Sequence, residues 1–424
     1  MQEPPDTFEP PSAFGPGSLR LRRIELRSHE WSLPGGSRNA RARFGQRRSW
    51  ILRLEAQGQG GAIGIGEASP LPGYHPDPPA RVEAELGDAR LEAFELPCGS
   101  GLEETLEALE RVIPMRSPSA RFALQTAVAD LLGKLRDQPL HRLLAWDEGS
   151  ASEPSRSCDD SSEGRDRAAP DARSEGAARL ASEAADPLMR AALLGYADAG
   201  LERRAREALA RGARALKVKA GRDLSKELPP LRALVAAIGE SATLRLDLNG
   251  QLGGIEPNAA LEALASLRLE FLEEPPAALA GRWAARLPLA LDESLLASGA
   301  ERALSGRLRA LGARSPFRCT LVLKPMALGG LLRACRVARI GRAAGAELVV
   351  SHLLDGPVAL AAAAELGLAL ARPGGPAMGL GDHPGLEPWA APIAAALAPN
   401  ALLYHDVPGL GLGADPRVEL RRCA

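Results

Sequence analysis

The stretch Ala213–Asp223, "ARALKVKAGRD", sets Lys217 and Lys219 one residue apart inside an apolar run. The chain otherwise almost refuses lysine: five lysines (134, 217, 219, 226 and 324) stand against 47 arginines. A guanidinium cannot lose its proton in a protein, whereas a crowded or buried amine can. On a strand the two lysines share one face, and their like charges lower the pKa of at least one of them. The pair reads either as a strand edge with two solvated lysines or as a general base with a tuning neighbour. What surrounds it decides between the two.

The same texture recurs from residue 187 onward. Short apolar runs alternate with Ala/Leu/Arg-rich helical stretches: "MRAALLGY" (189–196), "ALKVKAG" (215–221), "TLRLDLNG" (243–250), "LEFLEEPP" (269–276), "LPLALDES" (287–294), "CTLVLKPM" (319–326), "ELVVSHLL" (347–354) and "LGLALARPG" (366–374). Eight strand candidates, most separated by a helix, predict an α/β chain whose residues 187–395 close into a (β/α)8, modified TIM barrel. A doubly wound sheet can also carry eight strands. Residues 18–146 read differently, as antiparallel strands around a Gly-rich turn followed by helical periodicity, and predict an α+β capping domain. Residues 1–17 read as a disordered leader. The segment 147–186 has almost no large apolar side chain to repay its ordering entropy and reads as a disordered, dispensable insertion. Residues 396–424, Gly-rich and strand-like at best, are expected to return to the cap.

A net charge of −1 gives no global basic field, so neither nucleic acid nor an anionic membrane is an expected partner. No apolar stretch approaches a spanning helix, and the N-terminus lacks the basic-then-apolar order of a signal peptide. Five scattered cysteines argue against a disulfide framework and a Cys-rich zinc site. A reducing cytoplasm is the expected compartment.

In such a barrel, catalytic residues sit at the C-terminal ends of strands. Here consecutive strand ends carry Lys217 and Lys219, then Asp247, Glu273, Asp292 and Lys324. One acid after a strand is usually a helix cap or turn former. Three on successive strands, flanked by lysines, point further. Converging carboxylates repel unless a cation neutralises them, and oxygen ligands without His or Cys suit Mg2+, with Mn2+ as a substitute. Amines beside such a metal suit removal of a proton α to the carboxylate of a small molecule, with the metal stabilising the enediolate.

The ordered set "KVK", "DLN", "EEP", "DES" and "LKP" resembles the enolase superfamily, in its muconate lactonizing enzyme-like branch, over residues 18–146 and 187–424. The resemblance implies a cap-plus-barrel fold, metal ligands at Asp247, Glu273 and Asp292, and catalytic lysines at Lys219 and Lys324, with Lys217 lowering the pKa of Lys219. The cap segment "GIGEASPLPGYHPD" (64–77) and the helix "SPSARFALQTAVADL" (117–131) resemble those of o-succinylbenzoate synthases, the carbon–oxygen lyases of menaquinone biosynthesis. That likeness implies substrate contacts from Gly73 and Tyr74 in the cap loop, and from Arg245 and Asn249 of "R-x-D-x-N". Ser351 is a further candidate. The chain departs from these synthases in "DLNGQL", which lacks the usual aromatic, and in "SHLLDG", where they carry a Ser-rich turn. Racemisation of an N-acylamino acid, dipeptide epimerisation and cycloisomerisation fit the same residues. So, outside enzymology, does a silent barrel serving as a scaffold. His352 reads as a polar rim residue, and His75 as either a substrate contact or an exposed side chain.

Overall fold

Near the N-terminus, buried Leu52, Leu54 and Ala56 alternate with the less buried Arg53 and Glu55. The computed structural model describes residues 18–38, 43–56, 62–91, 94–97, 100–145 and 191–381. The expectations for 1–17, 147–186 and 396–424 lie outside these residues. β1 (Ser18–Arg38) and β2 (Arg43–Ala56) pair antiparallel from Leu21↔Ala56 outward, β3 (Ile63–Ala68) adds to β2, and β4 (Glu95–Pro97) adds to β1. Helices α1 (Pro79–Gly87), α2 (Leu102–Val112), α3 (Pro118–Leu135) and α4 (Leu140–Leu144) follow.

α3 lies directly on β3. A Cβ at Gly64 would come within 2.0 Å of the Ala127 carbonyl oxygen, and one at Gly66 within 1.9 Å of that of Ala123. Only glycine allows a helix so close to a strand backbone. A buried ion pair fixes the register of this contact. Asp130 accepts the Ile65 N–H at 2.8 Å and the Lys134 ammonium at 2.7 Å, and Lys134 also donates to the Ile63 carbonyl at 2.8 Å.

The second sheet has seven parallel strands in the order β11-β10-β9-β8-β7-β6-β5. They are β5 (Ala191–Tyr196), β6 (Ala215–Lys219), β7 (Thr243–Asp247), β8 (Leu269–Glu273), β9 (Leu289–Leu291), β10 (Thr320–Leu323) and β11 (Glu347–Val350). Between them run α5 (Leu201–Ala210), α6 (Leu224–Ile238), α7 (Pro257–Ala265), α8 (Ala277–Trp283), α9 (Ala300–Gly312), the short α10 (Pro325–Leu328) and α11 (Leu331–Ala343), with α12 (Pro357–Leu370) after β11. The sheet curls, and the segment around Met378 and Gly379 joins its edges. Ala191 N–H donates to the Met378 carbonyl and Gly379 N–H to that of Val350, each at 2.8 Å.

This corrects one strand expectation. "LGLALARPG" supplies no strand, because most of it is the end of α12, and the eighth place goes to the residues around Met378. "PVALAAAAELGLAL" is apolar but for Glu365 and buried along nearly its whole length, so it carries no period to distinguish helix from strand. Its length, its alanines and Pro357 in the first turn favour the helix. No helix among the described residues is long and apolar enough to cross a membrane.

Side-chain alternation then builds layers in the barrel. Phe271, Ala290, Val322 and Val349 form one buried cluster. Two residues further along each of these strands, on the same face, stand Glu273, Asp292, Lys324 and Ser351. An apolar floor thus lies beneath a polar layer. Gly66→Ala should cost about 3 kcal/mol, the upper range for overpacking, because a backbone carbonyl blocks the new methyl. A urea titration checks this, and a midpoint equal to that of wild type would show that α3 can lift off β3.

Candidate active site

β6, β7 and β8 pair in a register that aligns Lys219 with Asp247 and Asp247 with Glu273. Asp292 follows β9, and Lys324 follows β10. The three carboxylates are all but inaccessible: Asp247 is 2%, Glu273 1% and Asp292 1% exposed. Lys217 stands between two of them, its Nζ 2.9 Å from Asp247 and 2.6 Å from Glu273. Lys324 is paired with Asp292. Its Nζ also lies 3.4 Å from the Tyr74 hydroxyl, which reaches it from the cap loop. The Lys219 amine makes no hydrogen bond or ion pair among the described residues.

The backbone around the acids is built to hold them. Asn249, in the left-handed region at φ 45°, donates to Asp247 Oδ1 through its amide N–H at 3.0 Å and its side chain at 2.5 Å. Glu274, at φ 42°, turns its carboxylate away from the polar layer to accept the Asp292 N–H at 2.8 Å and the Ser294 hydroxyl at 3.0 Å. The sequence reading passed over Glu274. The doubled acid before two prolines was the available signal, since one of two adjacent strand-end acids must point the other way.

Charge follows this geometry. Burial raises Glu273, and the Asp247 and Asp292 carboxylates beside it add to the effect, against the pull of Lys217. Burial raises Asp292 despite Lys324. Asp247 ends low because three lysines outweigh its burial. Burial pulls the Lys217 and Lys324 amines down, but their carboxylate partners more than reverse it, and both end above an ordinary lysine. Lys219 ends below it: burial acts first, and the Lys217 and Lys324 charges add to it, against the attraction of Asp247 and Glu273. Lys217 therefore contributes to the tuning of Lys219, but burial is the larger cause.

The donor set fits a hard divalent cation in its chemistry. It offers oxygens only, and Glu273 Oε2, Asp292 Oδ1 and Glu293 Oε2 are buried without a hydrogen-bond partner among the described residues. Yet among those residues no three acidic, His or Cys side chains already surround one point. The ammonium groups of Lys217 and Lys324 stand where the acids need positive charge. The sharing of one cation by Asp247, Glu273 and Asp292 is therefore a proposal, taken up below.

The structure separates the expected substrate contacts. Arg245 is 1% exposed on the barrel floor, bound to Glu270 at 2.8 and 3.0 Å and stacked 4.8 Å from the Phe271 ring centre. It faces inward two residues before Asp247, with its guanidinium engaged by Glu270. Ser351 donates to the Gly379 carbonyl at 3.1 Å and so serves barrel closure. Asn249 serves Asp247. Gly73, at φ 74°, gives the cap loop its turn, and Tyr74 brings that loop onto Lys324. His75 is buried, not exposed, and its Nδ1 accepts the Leu71 N–H at 2.9 Å. His352 is partly buried, with Nε2 3.3 Å from the Gly381 carbonyl.

A family model described as enolase C-terminal domain-like matches residues 200–418. The chain belongs to this family. Among its enolase-type relatives, the L-Lys-D/L-Arg epimerase of Methylococcus capsulatus is 33% identical over 219 residues, 49% of this chain. That match spans 58% of the relative's length, less than two thirds of it. The o-succinylbenzoate synthase of Desulfotalea psychrophila is 27% identical over 352 residues, 75% of this chain and 82% of that one. The structure of a dipeptide epimerase from Methylococcus capsulatus complexed with Mg ion superposes with a TM-score of 0.59 at 24% identity, covering 84% of this chain and 87% of that one. This likeness shows the shared barrel-and-cap fold.

Lys217→Met tests the charge balance. It leaves Asp247 and Glu273 facing each other, and loss of one partner from a buried pair typically costs about 3–5 kcal/mol. In metal-free buffer the variant should melt well below wild type, and added Mg2+ should recover part of the loss by binding the freed carboxylates. A melting curve indifferent to Mg2+ would count against a cation site at these acids.

Proposed function

We propose that the protein is a Mg2+-dependent dehydratase of the o-succinylbenzoate synthase type, converting 2-succinyl-6-hydroxycyclohexadiene-1-carboxylate to 2-succinylbenzoate. The observation that carries this reading is the inequality of the two lysines expected to flank the substrate. Lys324 is tied to Asp292 and covered by Tyr74, whereas Lys219 is uncommitted. A syn elimination needs one amine that takes and returns a proton, plus one fixed cation. A two-base epimerisation asks the second amine to give up its proton as well.

In this reading Lys219 Nζ takes the proton α to the carboxylate, and the electron pair of the broken C–H bond moves into the carboxylate as an enediolate. The pair then forms the third ring double bond, to the carbon that bore the hydroxyl, as that C–O bond breaks. The Lys219 ammonium returns its proton to the departing hydroxyl, which leaves as water on the same face. Lys324 holds its charge beside the anion throughout. Asp247, Glu273 and Asp292 are the residues that would hold Mg2+, which supplies positive charge to the substrate carboxylate when bound. The Mg ion in the dipeptide epimerase structure supports that choice of metal. The match to the synthase, which takes in the cap as well as the barrel, supports the substrate.

Dipeptide epimerisation is the second reading, favoured by the 33% identity to the L-Lys-D/L-Arg epimerase. Purified protein with saturating Mg2+ should dehydrate the cyclohexadiene substrate far faster than it epimerises a dipeptide panel, and the reverse order would select the second reading. Lys219→Arg keeps the charge but cannot act as a base, so turnover should fall about 10²–10⁴-fold with an unchanged circular dichroism spectrum. Lys217→Arg leaves a cation between Asp247 and Glu273 and should be much milder. Near wild-type turnover in Lys219→Arg would move the base elsewhere, with Lys324 the first suspect.

A further inference from the structure

A second buried polar cluster lies away from the lysines and carboxylates, at the joint between cap and barrel. Glu67, near the end of β3 and 0% exposed, sends its carboxylate out of the cap into the N-terminus of α12. Its Oε2 accepts the Val358 N–H at 2.9 Å and the Ala359 N–H at 3.1 Å. These are orphan donors that a helix ordinarily satisfies from its own preceding residue. That residue is Gly356, whose bare Cα makes room: a Cβ there would sit 1.7 Å from Glu67 Oε1. One domain thus caps a helix of the other.

Arg47, on β2 and 1% exposed, crosses the same joint. It donates to the Leu353 carbonyl at 2.7 Å on the barrel side, and to the Ser69 carbonyl and hydroxyl on the cap side. Asp355 lies in its field, 2% exposed, with Oδ1 unpartnered among the described residues. Burial raises Glu67 to about 7 and Asp355 to about 6, against the pull of Arg47 on Asp355. Two desolvated acids beside one cation are costly, and apolar packing would hold two domains together without them.

What the joint adjoins gives it a use. Glu67 and Ser69 lead directly into the loop Leu71–His75, and Leu353 and Leu354 precede α12. Leu71, Tyr74, Leu353 and Leu354 pack as one small apolar cluster. Within the loop, the Tyr74 and His75 N–H groups both return to the Leu71 carbonyl, at 3.1 and 3.0 Å. The rigid loop therefore moves as a unit, and its base is tied to the barrel by Glu67 and Arg47. We propose that Glu67 and Arg47 are positioning residues: by fastening the cap loop to the start of α12, they set Tyr74 over Lys324. The fastening stands on geometry alone, and its effect on turnover rests on the reading of Lys324 given above.

Hydrogen–deuterium exchange on the intact chain tests the fastening without any substrate. Glu67→Ala should speed exchange at Val358 and Ala359 and also in the segment 69–75, each by about tenfold or more, as local opening becomes easier. Glu67→Gln, whose side-chain carbonyl can still accept both N–H groups, should keep both segments near wild type. Gly356→Ala leaves Glu67 in place but drives a methyl into its carboxylate, so it should loosen 69–75 as Glu67→Ala does. It also serves if Glu67→Ala does not fold. Exchange that rises only at 356–360, with 69–75 unchanged, would reduce Glu67 to a helix cap and overturn the proposal. Given a working substrate, kcat/KM should fall about 10²-fold in Glu67→Ala and recover in Glu67→Gln. Altered exchange with no activity in any assay would leave the fastening standing and fault the functional reading instead.

Discussion

Three carboxylates buried side by side at the ends of neighbouring strands set the main electrostatic constraint on this fold. Each ion costs several kcal/mol to desolvate, and their mutual repulsion adds to that unless positive charge stands among them. Lys217 and Lys324 provide it, one between Asp247 and Glu273 and the other on Asp292. Most of the rest follows. The parallel register sets Asp247 beside Glu273, Asp292 follows two residues after the Ala290 that pairs with Glu273, an apolar layer lies below, and Asn249 and Glu274 accept strained backbone angles to hold carboxylates in place. With two amines engaged, Lys219 is left beside the group, partly buried and near two like charges. The base we propose at Lys219 is thus the remainder of a charge balance.

The alternation of short apolar runs and helices made the barrel legible, because a parallel strand buried on both faces must be apolar until it meets its loop. The scarcity of lysine made the lysines legible too: in so Arg-rich a chain, Lys217, Lys219 and Lys324 stand out as positions where a guanidinium does not serve. The eighth strand was not legible, since an Ala-rich run buried on all sides has no period. Nor was the fate of Arg245. Its place two residues before Asp247 gives the face it shares, but depth in the barrel and the partner Glu270 depend on a register shift between β7 and β8 that no local pattern announces. The bond of Ser351 was not legible for a similar reason, as its partner Gly379 belongs to the closing segment that went unrecognised.

The joint between cap and barrel was invisible for a different cause. "GEASP" and "RRS" read as strand residues and a turn, and nothing in them says that Glu67 and Arg47 bond to groups 291 and 306 residues away. Inter-domain polar contacts leave no periodicity. Gly356 was the one local sign, a glycine immediately before a helix that begins with proline.

The charge balance can be observed directly because the chain has only five lysines. Protein labelled with 13C at the lysine ε carbons should give five resolvable signals, assigned by single Lys→Arg variants and followed with pH in metal-free buffer. The account predicts that Lys219 loses its proton below the ordinary lysine value of about 10.4, while Lys217 and Lys324 stay charged beyond it. A Lys219 signal that titrates at or above that value, or that follows Lys217 or Lys324, would contradict the account.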